Sequence, residues 1–73
     1  MSEGRLQSRF GRVVRRRREA AGISQEALAE QAGLHRTYIS LLERGQRNPS
    51  LEVIRAVAKG LGATMAELVA EVE

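Results

Sequence analysis

The 73-residue chain has a formal net charge of +3, and 42% of its residues are hydrophobic. This length allows one compact domain over residues 1–73, so small that a partner subunit would add useful burial. With no cysteine and one histidine, the chain excludes disulfides, thiolate metal sites and cysteine nucleophiles. We expect no metal, no cofactor and no enzymatic activity, since no nucleophile, base and orienting group occur together.

Basic residues are concentrated near the N-terminus. Seven of the twelve lie in the first eighteen positions, whereas every charged residue beyond Leu61 is a glutamate. The arginines at 15–18 wrap around a helix, so most are expected to form a solvated face that attracts polyanions at long range. Residues 1–5 have no assigned role. No apolar run approaches the roughly 20 residues of a membrane span and no secretory signal is visible, so we expect a cytoplasmic protein with no membrane partner.

The first half of the chain predicts two helices. Residues 6–21 form the first, which ends near Gly22 and has apolar positions three and four residues apart at Leu6, Phe10, Val13 and Val14. Ser24 caps a second helix, Gln25 to Ala32, by offering an oxygen to its free amides. Gly33 ends that helix because glycine adopts a positive φ cheaply.

Three more helices are expected beyond Gly33. The third runs from His35 or Arg36 to Arg44 and is followed by a polar loop that ends at Pro49. Ser50 caps the fourth, whose inward face is predicted to carry Leu51, Ile54, Val57, Ala58 and Leu61. Residues 64–67 match a capping box that starts a fifth helix at about 65–72. The chain is therefore predicted to be all-α with five helices and no strand.

The window Gln25–Arg44 satisfies the steric demands of two helices that cross steeply around a tight turn. Ala29 is small where the helices come closest, Gly33 occupies the turn, and Leu34 follows it as an apolar plug. Such a window predicts a helix-turn-helix, against the alternative of a plain helical hairpin. With Ile39 and Leu42 facing the core, the outer side of the third helix presents Arg36, Thr37, Ser40, Leu41 and Arg44.

That outer side suits the major groove of DNA, where each base pair shows a different pattern of donors, acceptors and methyl groups. Arg36 can bond a guanine edge, Thr37 and Leu41 can place methyl groups against thymine, and Ser40 can bond a base or a phosphate. Phosphates are expected at Ser24 and Gln25, at the start of the second helix, and on the far side at Arg44, Arg47 and Asn48.

The whole pattern resembles the Cro and phage-repressor helix-turn-helix proteins, also called the xenobiotic-response-element (XRE) family. The matching segments are Gly22-Ile23-Ser24-Gln25, Leu28-Ala29, Gly33-Leu34, Ile39-Ser40, Glu43-Arg44-Gly45, Asn48-Pro49-Ser50-Leu51, Ala58 and Leu61-Gly62. The stretch from His35 to Ser40, followed by Arg47-Asn48, is also similar to restriction-modification controller proteins, which are dimers.

This resemblance implies several roles. Arg36, Thr37 and Arg47 would contact bases, and Ser24, Gln25, Tyr38 and Asn48 would contact the DNA backbone. It also implies a structural ion pair between Arg18 and Glu43, and a dimer interface on the last helix. Arg17 departs from the family, many members of which have an apolar residue there.

Some assignments have two readings. Tyr38 lies between the two faces of its helix and either packs on the core or bonds a phosphate. His35 is expected to be a cap or turn residue. Val69 and Val72 either complete the core or form a dimer surface. The sequence thus predicts a homodimeric regulator bound to double-stranded DNA; the alternative is an antitoxin or protein-interaction module of the same fold.

Overall fold

The structure is a computed structural model that describes residues 2–72, with side chains from residue 5 onward. Within that range it contains five helices and no strand: α1 (Ser2–Ala20), α2 (Gln25–Ala32), α3 (Arg36–Glu43), α4 (Leu51–Gly60) and α5 (Met65–Val72). The all-α prediction is confirmed. α1 begins four residues earlier than predicted, so residues 2–5 extend its first turn, whereas the side chains of residues 1–4 lie outside the described part.

Local hydrogen bonds begin three of the helices. Ser24 and Ser50 each accept a hydrogen bond from the backbone amide three residues ahead, at 3.0 and 3.1 Å. Thr64 and Glu67 form the expected reciprocal box: each side chain accepts from the other's backbone amide, at 3.0 and 2.9 Å. These bonds satisfy amides that a helix leaves free at its start.

The core lies where α1 packs on α3 and α5, and where α2 packs on α3 and α4. Its fully buried large side chains come from all five helices: Val14, Leu28, Ile39, Leu42, Val57 and Leu68. One residue predicted for the core is not there. Leu51 is 74% exposed, because as the first residue of α4 it projects past the end of the packed face. The prediction for Leu51 was therefore wrong.

Candidate DNA-binding surface

The turn between α2 and α3 has the tight geometry that its residues require. Ala29 is 3% exposed, and its carbonyl accepts a hydrogen bond of 2.9 Å from the amide of Leu34. Gly33 has a φ of +71°, in the left-handed region that favours glycine. The turn is so short that α3 begins four residues after α2 ends, and the two helices pack against each other.

One side of α3 is anchored and the other is open. Ile39 and Leu42 are 0% exposed, whereas Arg36 and Thr37, in its first turn, are both exposed. Ser40 and Leu41 are half-buried along the same helix. The N-terminal turn of α3 is therefore accessible, with an arginine and a hydroxyl pointing away from the core.

Two residues lie at the margins of this face. Tyr38 is half-buried and its ring packs against the core, so a phosphate contact would come from its hydroxyl group. His35 is the N-cap of α3, but its side chain makes no capping hydrogen bond. Both residues lie at the edge of the helix and leave its outer side open.

The backbone of α1 holds the end of α3. Gly11 lies so close that an added Cβ would fall 2.7 Å from the carbonyl oxygen of Glu43. Gly45, which ends the recognition segment with a φ of +75°, lies against Ser8: a Cβ there would be 2.9 Å from the Ser8 Cα. Backbone atoms at Gly11, and the backbone and side chain of Ser8 at Gly45, bring α1 directly against the end of α3, so α1 fixes the direction of α3.

A buried ionic network joins α1, α2 and α3. The Nε and Nη2 of Arg18 donate to the two carboxylate oxygens of Glu43, at 2.6 and 3.1 Å. A further Arg18 nitrogen donates to the carbonyl of Ile23, and the amide nitrogen of Gln25 donates to Glu43 at 3.0 Å. The hydrogen bond to Glu43 raises the pKa of Arg18 above its ordinary value. The network satisfies a buried charge and orients the N-terminus of α2 relative to α3.

Ser24 and Gln25, the residues predicted to contact phosphate on one side, lie at the start of α2 with bonding capacity left. The Ser24 oxygen accepts from the amide of Ala27, so its hydroxyl hydrogen remains free to donate. Gln25 uses one amide hydrogen on Glu43 and keeps the other. Glu26 lies in the same first turn and offsets part of the attraction of the helix end for an anion.

The residues predicted for the far side follow α3 and are exposed. Arg47 donates to the carbonyl of Gln46 at 2.9 Å, and Arg44 donates to the carbonyl of Ser40 at 3.4 Å. Asn48 is exposed beside them. Because these are solvent-exposed bonds to neutral carbonyls, exchanging them for phosphate contacts costs little.

The run of four arginines in α1 is paired more fully than the sequence suggested. Arg15 pairs with Glu19 one turn further on, at 3.1 Å. Arg16 and Arg17 both reach Glu71 of α5, at 3.5 and 2.6 Å. The expected solvated face is formed by Arg15 and Arg16, whose side chains are each 64% exposed, whereas Arg17 and Arg18 are largely covered, at 30% and 12%. Neighbouring glutamates offset part of the long-range attraction that was expected from all four charges. The spacing of Arg15 and Glu19 could have revealed one pair, but no local signal marks the partner 54 residues away.

An apolar cleft of about 330 Å³ opens between α1, α4 and α5. Val69 is 47% exposed and Leu6 53% exposed at its edge, whereas Val72 is 8% exposed and forms part of its wall. The two valines predicted for a dimer surface thus differ: Val69 protrudes and Val72 is largely buried. The remaining lining residues are Gln7, Phe10, Asn48, Pro49 and Ile54.

Metal-binding clusters and membrane-spanning helices are both absent from residues 2–72. No group of three or more histidine, aspartate or glutamate side chains in that range is placed to hold a metal ion. None of the helices described there combines the length and the apolar character that crossing a bilayer requires.

The fold and the open face of α3 define a helix-turn-helix protein, a class that binds DNA. The helix-turn-helix family profile matches residues 14–68, and the chain belongs to this family. The chain is 41% identical over 69 residues to Control protein C.MunI of Mycoplasma sp, covering 93% of each chain. It is 48% identical over 60 residues to Control protein C.BamHI of Bacillus amyloliquefaciens, covering 81% of this chain and 74% of that one.

A solved structure agrees with these relatives. The restriction-modification controller protein C.AhdI from Aeromonas hydrophila superposes with a TM-score of 0.83 at 45% identity, covering 85% of this chain and 94% of the other. The predicted resemblance to controller proteins is confirmed. The chain is a DNA-binding transcriptional regulator by family.

Proposed function

We propose that the protein is a homodimeric, sequence-specific transcriptional regulator that binds a pseudo-palindromic operator. Each copy would insert residues 36–44 into the major groove of one half-site. The observation that carries this proposal is the exposure of Arg36 and Thr37 on a helix whose other side is anchored by Ile39 and Leu42. A helix held in this way presents a rigid set of donors and methyl groups to base edges.

The roles of the surrounding residues follow from their positions. Base contacts are assigned to the exposed or half-buried residues along α3 and to one in the loop: Arg36, Thr37, Ser40, Leu41 and Arg47. Phosphate contacts are assigned to residues that flank them at the helix ends and margin: Ser24, Gln25, Tyr38, Arg44 and Asn48. Contacts on both sides of the groove would fix the register of the helix, and the base contacts would then select the sequence.

Dimerisation is supported by the apolar cleft and by the size of the molecule. The cleft has protruding aliphatic groups at its rim, Leu6 and Val69, so one surface offers both a recess and the side chains to fill the partner's recess. A two-fold interface needs such self-complementarity. The protomer measures 31 × 23 × 21 Å, a size compatible with two copies side by side on half-sites one DNA turn, roughly 34 Å, apart.

The relatives named as control and restriction-modification controller proteins support the same regulatory role for this chain. Selection of bound sequences from a random DNA pool tests it. A symmetric motif with half-sites about 10 base pairs apart, or a multiple of that spacing, is expected. An asymmetric single site, or no enriched sequence, would overturn the proposed dimeric operator.

Point variants distinguish base reading from electrostatic binding. Arg36→Ala should relax preference at one base pair and weaken specific binding by about 1–3 kcal/mol. Lys59→Ala, on the last turn of α4, removes the same charge away from α3 and should leave base preference unchanged. Arg47→Ala should at least flatten the salt dependence of binding. Unchanged base preference in Arg36→Ala would remove that residue from the reading role.

A further inference from the structure

Glu71, near the end of α5, forms ion pairs with two arginines of α1. Arg17 donates twice to the same oxygen of Glu71, from Nη2 at 2.6 Å and from Nε at 3.1 Å. Arg16 approaches the other oxygen at 3.5 Å. In addition, Arg9 donates to the backbone carbonyl of Val72 at 3.5 Å. Both carboxylate oxygens are engaged, and the side chains of Arg17 and Glu71 are each only about a third exposed, at 30% and 35%.

This cluster lies where α5 packs on α1, a contact that we call the α1–α5 joint, and both helices contribute to the apolar cleft. α1 contributes Leu6 and Phe10 to the cleft, and α5 contributes Val69 and Val72. Val72, the neighbour of Glu71, lines both the cleft and the polar recess that contains Glu71 and the arginines, so the contact that ties Glu71 to α1 also holds this wall of the cleft in place. Leu68 and Val72 provide the apolar part of the same attachment.

We propose that Glu71, held by Arg16 and Arg17, is a positioning residue that fixes α5 against α1 and thereby shapes the cleft that receives a second copy of this chain. The inference rests on the proposed dimerisation and adds what controls it. Because the ion pair is partly exposed, salt weakens it, and the assembly becomes sensitive to ionic strength.

The charges around Glu71 favour its ionised form. Arg9, Arg12 and Arg16 line the polar side of the joint together with Glu71 itself, and Arg17 approaches from the same helix. On α5 the nearest like charge is Glu67, which is occupied in capping its own helix. Among the side chains described at this contact, cations from α1 therefore outnumber the acidic groups. Neutralising Glu71 would remove the attraction that closes the joint.

Sedimentation equilibrium of the full chain tests the proposal with Glu71→Gln, at low salt and at about 1 M salt. Glu30→Gln is the matched control, because it removes the same charge from an exposed site on α2 that has no ion pair among the described side chains. At low salt, Glu71→Gln should raise the dimer dissociation constant roughly fivefold over the control, since each dimer has two such joints. At high salt the two variants should converge.

A second variant and a second readout separate positioning from folding. Arg17→Leu replaces the main ion pair with an apolar side chain, so it should dimerise but lose part of the salt dependence. Hydrogen exchange of the α5 amides should be faster in Glu71→Gln than in Glu30→Gln, while far-UV circular dichroism shows both folded. A dimeric wild type with equal dissociation constants for both variants would overturn the positioning role alone. A wild type that stays monomeric would overturn the proposed dimer and, with it, this inference.

Discussion

Replacing Arg18 with methionine would leave the carboxylate of Glu43 buried without its cation. Methionine keeps the apolar stem of the arginine and removes the guanidinium, so the change isolates the charge. The two side chains are 12% and 3% exposed, and the bond from Gln25 is the remaining partner of Glu43. Water can therefore replace only a small part of what the arginine supplies.

The cost follows from that burial. Removing one partner of a buried ion pair costs about 3–5 kcal/mol, because an uncompensated charge remains. The slight exposure of Arg18 and the retained bond from Gln25 lower this to about 2–4 kcal/mol. A domain of this size is stable by only about 4–11 kcal/mol. The variant should therefore lose a large part of its stability.

Urea unfolding followed by far-UV circular dichroism at neutral pH measures the effect. Arg15→Met is the matched control: it lies on the same helix, and its pair with Glu19 is 64% and 56% exposed, so it should cost about 0.5 kcal/mol or less. Adding Glu43→Gln to Arg18→Met removes the stranded charge and should recover part of the loss. If Arg18→Met costs no more than Arg15→Met, burial does not make the pair of Arg18 and Glu43 more stabilising than an exposed pair.

Three further measurements probe other contacts. Gly45→Ala should destabilise the protein by about 1–3 kcal/mol more than Gly22→Ala. Both glycines have a positive φ, but a Cβ at position 45 would clash with the backbone of α1, whereas the space around position 22 is open. Equal losses would contradict the close contact between Gly45 and α1. Ser50→Ala should lower the free energy of unfolding, measured by thermal unfolding, by about 1 kcal/mol. An unchanged stability would show that the Ser50 cap does not stabilise α4. The pKa of Glu71 lies below its ordinary 4.5, chiefly through its arginine hydrogen bond, so the stability advantage over Glu71→Gln should be complete above pH 4.5 and shrink as pH falls through the lowered pKa. An advantage unchanged at the lowest pH would contradict this.

The candidate site was predictable where it depends on residues close in the chain. The periodicity of Ile39 and Leu42 identifies the buried side of the recognition helix, and the same periodicity leaves Arg36 and Thr37 outside. The hydrogen bonds that the side chains of the site make within the protein were not predictable in the same way. That the amide of Gln25 is shared with Glu43 depends on how α2 and α3 pack.

The sequence by itself determined the five helices and, apart from the start of α1, their approximate ends. The Ser24 cap and the capping box of Thr64 and Glu67 join residues three apart, so their hydrogen bonds can be predicted from the local sequence. Only the tertiary structure decided that Leu51 lies in solvent and that Arg17 meets Glu71. Those outcomes depend on where separate helices stop and how they cross, which is fixed when the whole core packs and not by any short segment.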